Sequence, residues 1–144
     1  MQLQNILVIS GKPDLNELVS RNRGGAIVEN IVTGQRMPVF QNDRISALAE
    51  IRIYTNSGET PLEDVFKNIK AKQDSKPIDF DPKKADGKML FDYFGQILPD
   101  YDTERVHASD VKKVLHWYNI LLAAGKLEPD PEGDAEKQEE NTNQ

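Results

Sequence analysis

The sequence predicts an α+β chain: a small SH3-like β-barrel over residues 1–58, a helical domain of about three helices over 59–126, and a disordered acidic tail over 127–144. Three observations predict it. Short β-prone runs punctuated by turn residues crowd the first third of the chain. Complete helix start and stop signals recur beyond it. The last eighteen residues hold Glu128, Asp130, Glu132, Asp134, Glu136, Glu139 and Glu140 against Lys137, with no aromatic or β-branched apolar residue, so they cannot bury enough surface to offset ordering.

The β elements follow in order. Asn5 to Ser10 is a β-branched run closed by Gly11-Lys12-Pro13-Asp14. Leu15 to Ser20 reads as a strand or a single helical turn. Ala26 to Val32 is entered through Gly24-Gly25 and left through Thr33-Gly34. Pro38 has no N–H to donate, so the run from Arg36 to Phe40 is predicted to be an edge strand or a bulge. Ile51, Ile53 and Thr55 alternate with Arg52 and Tyr54, the period of a half-buried strand. Many short strands at close spacing favour a meander curled into a barrel, because closure removes exposed edges.

Asn56-Ser57-Gly58 is predicted to end the β region, and Thr60-Pro61-Leu62-Glu63 to open a helix over 61–72, with Thr60 as N-cap and Glu63 at the third helical position. Leu62, Val65, Phe66 and Ile69 share one face of it. A second helix over 84–98 carries Met89, Leu90, Tyr93, Phe94 and Ile97, and Pro99 stops it. A third over 109–124 starts at Ser109 and ends before Gly125, with Val111, Val114, Leu115, Tyr118, Leu121 and Leu122 as its stripe and Trp117 on the rim.

The net charge of −6 is a local property. Residues 1–126 hold 17 basic and 17 acidic side chains, so the low isoelectric point reports the tail and neither invites nor excludes a polyanion. The absence of cysteine excludes disulfides and thiolate metal sites and favours the cytoplasm. The apolar run Ile6 to Ile9 is too short for a signal peptide or a membrane span, so neither export nor membrane insertion is expected.

No catalytic, metal or cofactor pattern emerges. His107 and His116 are nine residues apart, which fits no helical ligand pair. Asp100, Asp102, Glu104 and Asp110 resemble a calcium loop, but Arg105 stands where the turn needs glycine and Val111 where a bidentate Glu belongs. Gly11-Lys12-Pro13 lacks the second glycine and the Lys-Ser or Lys-Thr pair of a phosphate loop. No serine sits in a nucleophile elbow.

Arg21, Arg23, Arg36 and Arg44, if they converge on one barrel face with Phe40 or Tyr54, form a site for phosphates and stacked bases. The alternative is scattered solubilising charge. Lys67, Lys70, Lys72, Lys76, Lys83, Lys84, Lys112 and Lys113 read as a solvated face. Phe91, Leu98 and Ile120 lie off the main helical stripes and suggest hydrophobic surface left for a protein partner or a second copy.

The stretches SGKPDL, MPVF and RISALAEIRIYT in the first half, and LPDYDTERVHASDVKKVLHWYNIL in the second, resemble a family of small uncharacterised bacterial proteins. The resemblance spans residues 5 to about 124, leaves out the tail, and implies a domain of unknown function with a β domain followed by a helical hairpin. The preferred expectation is a non-catalytic binding module associated with nucleic acid. Its competitor is a protein-interaction adaptor that self-associates through the hairpin, and no enzyme, metal or cofactor is expected.

Overall fold

The computed structural model describes residues 1, 3–12 and 14–128. The chain runs through strands β1 (Ile6–Ile9), β2 (Leu15–Asn22), β3 (Gly25–Asn30), β4 (Arg36–Phe40) and β5 (Ile45–Ala47), then a 3-10 turn (Leu48–Glu50). Strands β6 (Arg52–Thr55) and β7 (Gly58–Pro61) and helices α1 (Leu62–Gln73), α2 (Gly87–Ile97) and α3 (Ala108–Ala123) complete it.

The first five strands form an antiparallel sheet in the order β4-β3-β2-β1-β5. Among the described residues no ladder joins β4 to β5, so the sheet is open where the sequence predicted a closed SH3-like barrel. It is nevertheless strongly curled. Ile9 on β1 packs in one cluster with Val28 on β3 and Val39 on β4. In a flat sheet β1 and β4 would lie about 14 Å apart, three strand spacings, beyond side-chain contact. The curl has a local cause in β2, where the register with β3 shifts between Leu18 and Ser20 and adds twist. Gly25 permits the closest strand approach: a Cβ there would run into the Val39 carbonyl. Pro38 lies in β4, an edge strand, where its missing N–H costs no ladder bond.

The run 51–55 does not join this sheet. Its β6 portion pairs with β7, from Arg52 opposite Pro61 to Thr55 opposite Gly58, so Asn56-Ser57 turns a hairpin instead of ending the β region. A boundary at residues 58/59 therefore passes within β7. Thr60 is consumed by the ladder and does not cap α1; the helix instead starts after Pro61, with Leu62 N–H bonded to the Ile51 carbonyl at 2.9 Å. The α2 helix opens at Gly87, three residues later than predicted, because Asp86 Oδ1 accepts the Met89 amide at 2.9 Å. The α3 helix opens one residue before Ser109, with Asp110 Oδ2 accepting the His107 amide at 3.0 Å.

One large core joins the two halves. Leu3, Ile6, Leu15 and Leu48 from the sheet side pack in the same cluster as Phe66 of α1, Phe94 of α2 and Leu115 and Tyr118 of α3. The main-chain tie between Asp102 N–H and the Tyr54 carbonyl, 3.0 Å, fixes the β6–β7 hairpin to the segment between α2 and α3. Leu127 is buried in this core and its carbonyl accepts from Lys70 Nζ at 3.1 Å, so the first residues of the predicted tail belong to the body. Residues 129–144, the rest of that tail, lie outside the described residues.

Candidate functional site

The arginine set separates into three places. Arg36 sits opposite Glu29 on the β3–β4 ladder and its Nε lies 3.1 Å from Glu29 Oε1, so its charge is met locally. Arg21, Arg23 and Phe40 share the other end of that ladder: Arg21 is in register with Ala26 and so with Val39, and Gln41 Nε2 donates to the Arg23 carbonyl at 3.1 Å. Arg44 follows four residues after Phe40, which is 60% exposed, and its carbonyl accepts from Ser10 N–H at 2.9 Å. Tyr54 is on β6, outside the sheet, with the Arg105 guanidinium 5.2 Å from its ring centroid. Arg21, Arg23 and Phe40 thus come to one sheet end and Arg44 follows Phe40 by a turn, while Arg36 and Tyr54 lie elsewhere.

The hydrophobic trio is largely internal. Leu98 and Ile120 are buried, and Phe91 is half-buried, stacked parallel to Tyr101 with centroids 6.1 Å apart.

One concavity involves side chains that the sequence placed on a solvated face. Where α3 crosses β1, a cleft of about 440 Å³ is lined by Val8, Gly11, Lys12, Lys83, Lys112, Lys113, His116 and Trp117. Lys112, Lys113, His116 and Trp117 occupy positions i, i+1, i+4 and i+5 of α3, one side of the helix, with Trp117 turned enough to reach the core. Beyond Lys113 and Trp117 lies a second, smaller cleft of about 220 Å³, also bordered by Arg52, Tyr54, Arg105 and Asp110. The two share Lys113 and Trp117 as a ridge. Among the residues lining both, Lys12, Lys83, Lys112, Lys113, Arg52 and Arg105 are cationic and Asp110 is the acid, already engaged in capping α3.

His116 Nε2 is sealed from solvent and lies 3.7 Å from Asp14 Oδ1, too long for a hydrogen bond, and it has no other partner among the described residues. Burial, and then the Lys83 ammonium, hold the imidazole below its ordinary value of 6.5, with Asp14 pulling weakly the other way, so the ring is neutral at neutral pH. The acidic loop is likewise committed to structure. Asp100 accepts from Ser57 Oγ, Asp102 Oδ1 accepts the Glu104 amide at 2.9 Å, and Asp102 Oδ2 lies 3.6 Å from Arg105 Nε. Among the described residues no three acidic or imidazole groups gather as a metal site, and no helix is long and apolar enough to cross a membrane.

With this geometry established, the comparisons place the chain. A family profile described as Domain of unknown function (DUF5606) matches residues 3–48, the whole five-stranded sheet, and a second, Domain of unknown function (DUF6852), matches 51–121, from just before β6 into α3. The chain is similar to a protein from Bacteroides vulgatus whose solution NMR structure was determined by the Northeast Structural Genomics Consortium. Identity is 39%, the alignment covers 88% of this chain and 89% of that one, and the TM-score is 0.73. Comparison with curated proteins gives no match. The chain belongs to the same family as the Bacteroides protein, a bacterial family of unknown function, and carries its two domains in the order DUF5606, DUF6852.

Proposed function

We propose that the chain is a non-catalytic, cytoplasmic, nucleic-acid-associated binding module whose polyanion-facing surface is the pair of clefts meeting at Lys113 and Trp117. The observation that supports this reading is the lining of those clefts among the described residues: six cations, of which Arg105 has Asp102 beside it, one acid engaged in capping α3, and the aromatic rings of Trp117 and Tyr54. Cations track a phosphate backbone and release its counterions, and aromatic rings offer sequence-tolerant stacking. On this reading the curled sheet is an SH3-like barrel left unclosed between β4 and β5, and Arg44, joined through Ser10 to the Gly11-Lys12 turn, carries the positive surface from the cleft toward Phe40, Arg23 and Arg21. The acidic residues of 129–144, six against Lys137, are a competitor for the same surface.

The test is a salt series of binding to mixed-sequence single-stranded RNA, with the native full-length chain beside a full-length variant whose six acids in 129–144 are changed to amides. Affinity should fall steeply with salt, and the amide variant should bind more tightly. Undetectable binding by both at about 50 mM salt, where counterion release is strongly favoured, would discard the reading.

A further inference from the structure

We infer that the larger cleft receives one unstacked nucleotide of a single strand, its base against Val8 and Trp117 and its phosphates on the rim of Lys12, Lys83, Lys112 and Lys113; this rests on the nucleic-acid reading above. Three features of the cleft carry it. Its volume of about 440 Å³ falls in the range of sites that take a small organic ligand. Its lining divides by chemistry. Val8 and Trp117 are apolar and anchored to the main core, which makes a rigid floor, while Lys12, Lys83 and Lys113 are exposed around it. The lysines come from three separate segments, Lys12 from the β1–β2 turn, Lys83 from the segment before α2, and Lys112 and Lys113 from α3, so the cations reach the cleft from different parts of the chain.

A base and its phosphates have this same division, an apolar π face and an anionic edge. In a duplex that face is stacked and reaches a floor of this kind only after the base leaves the stack, at the cost of lost stacking and pairing. A single strand presents it freely. The cleft therefore selects strandedness, and the smaller cleft beside it, lined by Arg52 and Arg105, adds backbone attraction that single and double strands satisfy alike.

Trp117 is the sole tryptophan of the chain and lines this cleft, so its fluorescence reports occupancy directly. The experiment follows both dye-labelled probe anisotropy and Trp117 emission while the full-length chain is titrated with a single strand of about 10 nucleotides, the blunt duplex of the same sequence, and a free 5′-mononucleotide. The expected result is quenching of Trp117 by the single strand, an affinity for it about tenfold above that for the duplex, and loss of most of that preference in the Lys12→Ala/Lys83→Ala variant. Millimolar mononucleotide should produce the same quenching, which would show that the base-and-phosphate unit suffices. Equal binding of both strands without quenching would overturn this inference while leaving the surface reading intact; no anisotropy change with any probe would overturn the surface reading itself.

Discussion

Arg21, Arg23 and Phe40, with Arg44 a turn further along the chain, belong to the sheet whose small cluster is Ile9, Val28 and Val39. At the cleft, Lys112 and Lys113 ride on a helix whose other face, Val111, Val114, Leu115 and Tyr118, is sunk in the main core. Both regions are basic. The difference is that the first is built from one antiparallel ladder and the turn after it, whereas the second exists only because a helix lies beside a strand about a hundred residues earlier in the chain and leaves a gap between them. Charge on a turn is easily seen in a sequence, but a concavity that focuses it is a property of packing.

The contrast in support gives the largest expected effect. Leu115→Ala, which empties a fully buried site beneath the cleft, should cost about 3–5 kcal/mol of unfolding free energy in a denaturant titration. Val39→Ala in the small cluster should cost about 2 kcal/mol, the loss of two buried methyl groups. Equal costs would mean that the two regions are equally well founded.

Charge reversal comes next. Lys112→Glu with Lys113→Glu should weaken single-stranded RNA binding about a hundredfold at low salt and flatten the log–log salt slope by about 1.4, two phosphate contacts. Arg21→Ala with Arg23→Ala should weaken it by less than about threefold, as expected for distant backbone attraction. A larger loss from the arginine pair would move the binding surface to the sheet end and invert the comparison.

How much of this was legible depended on range along the chain. The strands at 6–9, 25–30 and 36–40 and all three helices answer to local period and punctuation, and the edge position of β4 follows from Pro38 alone. The short β5, Ile45–Ala47, was missed because three residues carry no period. The β6–β7 hairpin was misread because Thr60-Pro61-Leu62-Glu63 satisfies a helix start while Gly58 to Pro61 also satisfies a strand, and pairing with Arg52–Thr55 decides between them. Of the site, Lys12, Lys83, Lys112 and Lys113 were passed over in favour of the arginines and Phe40. Their shared side of α3 with His116 and Trp117 was visible in the spacing, yet nothing local shows that β1 and its turn lie opposite.

The smallest effect concerns His116, whose ring is faced by Asp14 and Lys12 from the β1–β2 turn, Lys83 and Asp81 from the segment before α2, and Lys112 and Lys113 on its own helix. Its folded value is lowered from 6.5, so the unfolded chain takes up the proton first. The contribution to stability is complete above pH 6.5 and is lost as pH falls from there through the folded value. His116→Leu should remove that part of the acid sensitivity in thermal melts and, by deleting an unpartnered buried nitrogen, leave stability at neutral pH unchanged or slightly raised.

The most direct measurement is backbone-amide chemical-shift mapping of the full-length chain with a single strand of about 10 nucleotides. A footprint centred on Gly11-Lys12, Lys83 and Lys112 to Trp117, fading toward Phe40 and Arg23, is the predicted result. Shifts confined to Arg21–Gly25 and Phe40–Arg44, or none at all under low salt, would contradict it.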